Sequence, residues 1–168
     1  KAAEARGGQP WRRAASGMAG IVGVGRRTEQ KDFSTLLSAF AEVQSHRAAR
    51  LIILGDGDLR EALLTQAREL NIAAHVDLPG FQANPWAWMS RASVFVLSSR
   101  WEGSPNTLTE AMALGIPVVS TDCPSGPREL LNAGRIAPLV DMGDAEALAQ
   151  ALRSTLDNRP DTAVLVDA

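Results

Sequence analysis

Short apolar runs alternate with longer amphipathic segments along most of this chain. Buried strands are predicted at residues 19–25, 50–55, 75–78, 94–97, 118–120 and 135–140, where the runs are short and rich in Val, Ile and Leu. Between them, apolar residues recur at helical spacing, as in residues 32–46, where Phe33, Leu36, Phe40 and Val43 share one face. No hairpin turn signal joins any two strands.

Helix start and stop signals divide the segments between the strands. Asp32, Asp58 and Asn84 are placed to cap helices, and a helix over residues 106–114 has Ser104 as its predicted N-cap and Pro105 at its first position. Further helices are predicted at residues 128–133 and 144–156. The alternation predicts an α/β fold with a doubly wound, mostly parallel, Rossmann-like sheet and right-handed crossovers.

The predicted sheet occupies residues 18–158. Residues 1–17 are rich in Ala, Gly and Arg and are interpreted as a linker or N-terminal arm, in which Trp11 is a packing anchor. Residues 159–168 are predicted to form a C-terminal tail.

Composition excludes several classes of protein. The net charge of −2 gives no reason to expect nucleic acid as a partner, and no apolar run approaches the ~20 residues of a membrane span. No signal peptide is visible, and Cys123 is the single cysteine, so no internal disulfide is expected and a cytoplasmic location is predicted. Cys123 is interpreted as a small packing residue. No cluster of metal ligands is seen, so no metal is expected.

The segment at residues 98–127 holds the strongest candidate chemistry. Glu102 lies in the loop after a predicted strand, and Glu110 lies about one turn into the next helix. Ionised carboxylates accept hydrogen bonds from sugar and ribose hydroxyl groups, and the helix start between them favours a phosphate. This pattern of groups suits a nucleotide-sugar.

A basic loop follows the first predicted strand. The sequence Gly23-Val24-Gly25-Arg26-Arg27-Thr28 lacks the third glycine of a dinucleotide fingerprint. Arg26, Arg27 and Lys31 form either a solvated charged loop or a clamp on a diphosphate. Likewise, Gly80 and Phe81 are candidates for contact with a nucleobase, although Phe81 can equally belong to the core.

These segments together resemble one known family. Glu102 and Glu110, in E-G-S-P-N-T-L-T-E, are similar to the E-x7-E motif of the retaining family-4 glycosyltransferases, also called glycosyl transferases group 1. The family likeness extends through A-M-A-L-G-I-P-V-V-S-T-D-C-P-S-G-P-R-E-L-L, G-V-G-R-R-T-E-Q-K-D-F, L-I-I-L-G-D-G-D-L-R and L-P-G-F, and the motifs stand in family order between residues 21 and 156.

The resemblance implies the C-terminal, donor-binding lobe of a two-lobed GT-B enzyme. By this resemblance, Arg26 and Lys31 of this chain would hold the donor diphosphate and stabilise the leaving group without a metal. Arg26, Lys31 and Glu102 would then be the catalytic residues. Glu102 would hold sugar hydroxyls and Glu110 the ribose diol. The donor contacts implied by the family are Gly25, Arg26, Lys31, Gly80, Phe81, Glu102, Gly103, Ser104, Pro105, Asn106, Thr107 and Glu110. Ser104 departs from the bulkier apolar residue of many members.

The resemblance also implies partners. The donor would be a UDP-, GDP- or ADP-sugar, and the acceptor, a glycan or a lipid-linked molecule, would bind to an N-terminal lobe that this chain does not resemble. The chain alone is therefore expected to be inactive, to expose edges that favour self-association, and in the full enzyme to lie at the inner face of a membrane. Alternative hypotheses are a nucleotide-sugar hydrolase or epimerase, with Glu102 and Glu110 as acid and base, and a non-catalytic nucleotide-binding module.

Overall fold

A six-stranded, fully parallel sheet forms the centre of the computed structural model, which describes residues 18–168. The strands are β1 (Ala19–Val24), β2 (Ala49–Leu54), β3 (Val76–Gly80), β4 (Val94–Leu97), β5 (Val118–Thr121) and β6 (Leu139–Val140). Their order across the sheet is β3-β2-β1-β4-β5-β6. The predicted α/β class and Rossmann-like sheet are confirmed. The expected N-terminal arm, including Trp11, lies outside the described residues.

Helices cover both faces of this sheet. They are α1 (Phe33–His46), α2 (Arg60–Glu69), α3 (Pro85–Met89), α4 (Asn106–Ala113), α5 (Pro127–Leu130), α6 (Ala145–Asp157) and α7 (Ala163–Asp167), with short 3-10 turns at Ala73–His75 and Asn132–Gly134. Neighbouring strand residues point to opposite layers: Ile21 packs in the layer with α1, α2 and α6, and Val22 packs in the layer with α3, α4 and α7. Both faces are buried, which explains the continuous apolar runs.

Several predicted helix caps are present. Asp32 accepts a hydrogen bond from the Thr35 N–H at 3.3 Å, and Asp144 accepts one from the Ala147 N–H at 2.9 Å. Asn84 accepts a bond from the Ala87 N–H at 3.3 Å and precedes a proline at the first helical position. In each case a side-chain oxygen satisfies one N–H that the helix itself leaves free.

Two other predicted caps are wrong. The Ser104 hydroxyl donates to Asn106 Oδ1 at 2.9 Å instead of accepting from the helix, and Pro105 is the residue that precedes α4. Asp58 likewise makes no cap, because α2 begins at Arg60 after Leu59.

The C-terminal part of the chain differs from its prediction in detail. The predicted strand over residues 135–140 shrinks to β6 because the Ile136 N–H bonds to the Leu131 carbonyl and Pro138 has no N–H to donate. The predicted tail contains the helix α7, whose Leu165 is buried in the α3, α4 and α7 layer. None of the helices between residues 18 and 168 is long and apolar enough to cross a membrane.

Candidate functional site

The order of strands creates a crevice between β1 and β4. From β1 the chain proceeds outward to β2 and β3, whereas from β4 it proceeds in the other direction to β5 and β6. The loops that leave β1 and β4 therefore turn to opposite sides, and ligands of such sheets bind in the gap between them. Lys31 lies at the end of the first loop and Glu102 lies in the second.

Lys31 and Glu102 form an ion pair across this crevice. Lys31 Nζ lies 2.6 Å from Glu102 Oε1, and their side chains are only 16% and 5% exposed. An ammonium group has three N–H donors, and Glu102 occupies one of them. The pair therefore holds two opposite charges at this crevice, the topological switch point of the sheet. Lys31 keeps further donor capacity.

Hydroxyl groups at the end of β4 support both partners. Ser99 Oγ donates to Glu102 Oε1 at 2.6 Å, and Ser98 Oγ donates to the Lys31 carbonyl at 2.7 Å. Thr121, at the end of β5, donates from Oγ1 to the Ser99 carbonyl at 2.6 Å. These residues were not identified from the sequence, although Ser98-Ser99 directly after a buried strand is a signal that could have shown them.

The backbone of the Glu102 loop is tied down on two sides. The Arg100 N–H donates to the Gln30 carbonyl at 2.8 Å, which joins this loop to the loop after β1. On the other side the Ser125 N–H donates to the Glu102 carbonyl at 2.9 Å, which joins it to the loop after β5. Three strand-end loops thus hold one another in place around the ion pair.

One cavity of about 550 Å³ opens beside the pair, and we call it the β1–β2 cavity. Its walls come from the ends of β1 and β2 and the loop after β3, and they are mostly apolar. The lining residues are Val24, Gly25, Arg26, Leu54, Gly55, Asp56, Gly57, Phe81, Gln82 and Pro85. Phe81 is 73% exposed, so the structure places it at a cavity and not in the core.

A second cavity of about 510 Å³, the α4–α5 cavity, lies near the starts of those two helices. Its lining carries hydroxyl and carboxylate groups as well as apolar ones. The lining residues are Gly103, Ser104, Pro105, Thr109, Ser125, Gly126, Glu129, Leu130, Ile136 and Ala168.

The ion pair lies next to residues of both cavities. Gly25 lines the β1–β2 cavity with a φ of +154°, and a Cβ placed on it would come within 2.7 Å of Lys31 Cε. The aliphatic part of Lys31 therefore lies directly against this glycine, where no larger residue fits. Gly103, which follows Glu102, lines the α4–α5 cavity and has open space where a side chain would be.

The two neighbouring arginines of the basic loop have opposite environments. Arg26 is exposed and lines the β1–β2 cavity, whereas Arg27 is only 1% exposed. Arg27 Nη2 donates to the Ile53 carbonyl at 3.4 Å, and its Nε has no hydrogen-bond partner among residues 18–168. Burial lowers the pKa of Arg27, nearby Arg60 lowers it further, and Asp56 opposes both. Neither interpretation of the loop as a whole is therefore correct for Arg27, which neither solvent nor a ligand can reach.

Glu110 is placed apart from Glu102. It lies half-buried on α4, lines neither cavity, and receives no hydrogen bond from a side chain of residues 18–168. Asn106 and Thr107 form the first turn of the same helix, with Asn106 exposed and Thr107 half-buried. The structure thus brings Lys31 and Glu102 into contact and leaves Glu110 as a separate carboxylate.

Cys123 is buried close to this site. Its exposure is 4%, and burial raises the pKa of its thiol. The interpretation of Cys123 as a packing residue is confirmed. Within residues 18–168, no three His, Cys, Asp or Glu side chains form a group that could hold a metal ion.

Comparison with known families gives a match over most of the chain. The family model described as "Glycosyl transferases group 1" matches residues 14–167. An uncharacterized glycosyltransferase of Methanocaldococcus jannaschii is 46% identical over 112 residues, which is 66% of this chain and 28% of that protein. The N-acetylgalactosamine-N,N'-diacetylbacillosaminyl-diphospho-undecaprenol 4-alpha-N-acetylgalactosaminyltransferase of Campylobacter jejuni is 35% identical over 138 residues, or 82% of this chain and 37% of that protein.

Solved structures give the same result for the fold. The apo form of the lipopolysaccharide outer core galactosyltransferase WaaB superposes with a TM-score of 0.80 at 30% identity, covering 89% of this chain and 43% of that one. Anabaena HepE, in complex with UDP and glucose, superposes with a TM-score of 0.81 over 90% of this chain and 42% of its own. At 23% identity the HepE match concerns the fold alone. The chain spans about 28% to 37% of the length of the two relatives above.

Proposed function

The chain belongs to the glycosyl transferases group 1 family, and from that membership we propose that it binds the nucleotide-sugar donor of a retaining, metal-independent glycosyl transfer. The observation that carries the proposal is the Lys31–Glu102 ion pair at the switch point, with one apolar cavity and one polar cavity beside it. A nucleotide-sugar has a flat base at one end, a sugar at the other and two phosphates between them. This order of groups matches an apolar cavity, a cation and a polar cavity in sequence.

We assign the diphosphate to Lys31 and Arg26. Lys31 keeps two N–H donors after its bond to Glu102, and the guanidinium of Arg26 is exposed at the β1–β2 cavity. Both cations would stabilise the negative charge that grows on the diphosphate as the sugar leaves, which makes a metal ion unnecessary. The backbone N–H groups of Gly103, Ser104 and Thr107 would add donors to the distal phosphate and the sugar.

The base and ribose belong to the other side of the diphosphate. The apolar β1–β2 cavity, with exposed Phe81 and the bare backbone of Gly80 beside it, suits the flat face of a nucleobase. Glu110 has no side-chain donor of its own within residues 18–168 and is assigned to the ribose diol.

The sugar is assigned to Glu102 and the polar α4–α5 cavity. Glu102 is held rigidly by Lys31 and Ser99, so its remaining acceptor capacity has a defined direction. Such positioning orients the reacting carbon relative to the acceptor. The acceptor, a glycan or lipid-linked molecule, would bind to an N-terminal lobe, in keeping with the diphospho-undecaprenol named in the Campylobacter relative.

We further propose that the chain alone does not catalyse transfer, that its exposed edges allow self-association, and that the full enzyme acts in the cytoplasm at a membrane.

A calorimetric screen tests this assignment. The wild-type chain is titrated with UDP, GDP and ADP and with UDP-glucose, GDP-mannose and ADP-glucose, and we expect one nucleotide series to bind. Arg26→Ala should weaken the binding of that nucleoside diphosphate at least about tenfold, since a charge-assisted hydrogen bond contributes ~1.5–3 kcal/mol. Arg68→Ala, which removes an exposed arginine of α2, is the matched control and should bind like wild type.

Three results would each contradict part of the proposal. Failure of all three nucleoside diphosphates to bind would exclude a donor site. Release of free sugar from a nucleotide-sugar by the chain alone would favour the hydrolase hypothesis. Robust transfer by this chain alone would show instead that no second lobe is needed.

A further inference from the structure

We propose that Ser99 is a positioning residue for the Lys31–Glu102 pair, an inference that rests on the donor-binding function proposed above. Ser99 Oγ and Lys31 Nζ each lie 2.6 Å from the same atom, Glu102 Oε1. Two donors on one oxygen fix both the position and the rotation of the carboxylate. The carboxylate cannot turn without losing both bonds.

This arrangement leaves the second carboxylate oxygen available. No donor among residues 18–168 bonds to Glu102 Oε2. An ionised carboxylate with two oxygens has about four lone-pair sites, so Oε2 can accept a hydrogen bond from a hydroxyl of a bound sugar. Ser99 thus holds one oxygen on Lys31 and presents the other to the ligand.

Ser99 is itself held from the neighbouring strand. Its side chain is fully buried, and its carbonyl accepts a hydrogen bond from Thr121 Oγ1 at 2.6 Å. Thr121 is also buried, at 1% exposure, so water does not compete for this bond. The polar connection therefore runs from Thr121 on β5 through Ser99 to Glu102 and Lys31.

Amine labelling measures the pair directly, without a ligand. The chain has only two lysines, Lys1 and Lys31, so acetylation by acetic anhydride, followed by mass spectrometry, compares Lys31 with an internal reference. In Ser99→Ala the Glu102 carboxylate keeps only its bond to Lys31, so it can turn away from Lys31 at the loss of one hydrogen bond instead of two. We expect the acetylation rate of Lys31 to rise about three- to tenfold, the factor that corresponds to loss of one hydrogen bond.

Ser120→Ala is the matched control for this experiment. Ser120 is fully buried on β5, and its hydroxyl donates to the Thr121 carbonyl at 2.8 Å, but it does not bond to Glu102. The Ser120→Ala variant should lose about as much stability as Ser99→Ala, with no change in the acetylation rate of Lys31. Ser99→Cys keeps the size of the side chain with a weaker donor and should give an intermediate rate.

Binding separates positioning from a merely structural effect. With UDP and UDP-glucose as probes, Ser99→Ala should leave the affinity for UDP unchanged and reduce the affinity for UDP-glucose about tenfold, because only the sugar uses Glu102 Oε2. Ser120→Ala should leave both affinities unchanged.

The outcomes distinguish the two proposals. Equal labelling of Lys31 in Ser99→Ala and Ser120→Ala would overturn the role of Ser99, whatever the chain binds. Equal loss of UDP and UDP-glucose affinity in Ser99→Ala would also overturn it. If the wild-type chain binds no nucleoside diphosphate while Ser99→Ala alone speeds labelling, Ser99 positions the pair and the donor-binding function is wrong.

Discussion

Lys31 and Glu102 are 71 residues apart in sequence, and their side chains meet at 2.6 Å across the crevice between β1 and β4. The family resemblance assigned these residues to different parts of one ligand, the diphosphate and the sugar. The structure joins them into one unit, in which each charge fixes the other before any ligand arrives. This pairing makes their contributions to the stability of the fold interdependent.

The first prediction concerns this interdependence. Lys31→Met leaves the buried carboxylate of Glu102 without its counter-charge and should cost about 3 kcal/mol, the lower end of the range for a broken buried pair, because Lys31 is partly exposed. The double variant Lys31→Met/Glu102→Gln should be more stable than the sum of the single effects, by about 0.5–3 kcal/mol. Urea unfolding measures all three variants, and strictly additive effects would show that the pair is not coupled.

The second prediction separates the two glutamates. Glu110→Gln should weaken the binding of nucleoside diphosphate and of nucleotide-sugar alike, by ~1–3 kcal/mol if a charged hydrogen bond to ribose is lost. Glu102→Gln should weaken the binding of the nucleotide-sugar only. Calorimetry with both ligands gives four affinities. Equal damage to nucleoside diphosphate binding by the two variants would exclude the assignment.

The third prediction concerns Phe81. Its ring is 73% exposed at the β1–β2 cavity, so Phe81→Ala should not change thermal stability measurably. Loss of stacking on a base should reduce affinity for the nucleoside diphosphate by ~1–3 kcal/mol. Trp86→Ala is the control, because Trp86 is 47% exposed nearby and lines neither cavity. If both variants bind equally well, the base lies elsewhere.

The fourth prediction concerns the buried guanidinium of Arg27. Desolvation and Arg60 both disfavour its charge, and no group in the described part of the chain, residues 18–168, bonds to its Nε. Arg27→Met fills similar space without a charge, so its unfolding free energy should stay within ~1 kcal/mol of wild type or exceed it. Arg27→Ala leaves a void and should cost about 2–5 kcal/mol. A large loss in Arg27→Met as well would show that the charge itself is needed.

The fifth prediction concerns pH and Cys123. Burial raises the pKa of this thiol, so the folded chain retains the proton at pH values where the unfolded chain has released it. Its contribution to stability is therefore complete below the unfolded pKa and is lost as pH rises through the folded pKa. The unfolding free energy of wild type should fall with rising alkaline pH more steeply than that of Cys123→Ala. Parallel curves for the two proteins would contradict the raised pKa.

Local patterns determined most of the secondary structure and the family. Buried strands are short apolar runs, and capped amphipathic segments are helices. The order of the elements and the parallel sheet can therefore be predicted from local sequence patterns. Prediction was weaker where local signals compete. Ser104 has the right type and position for a cap, yet its hydroxyl bonds to Asn106 instead. The strand at residues 135–140 was shortened by a turn that takes up its N–H donors.

Tertiary structure alone decided which of the candidate site residues meet. The sequence placed Arg26, Lys31, Glu102 and Glu110 at strand ends and a helix start, but loop directions at the switch point determine which side chains reach each other. Arg26 and Arg27 are indistinguishable by type, and only the packing of the β1 loop against the β2 loop leaves one exposed and buries the other. The role of Ser99 likewise follows from its hydrogen bond to Glu102 in the folded chain. A hydrogen-bond partner is defined by distance in space, and distance in space is set by the whole sheet.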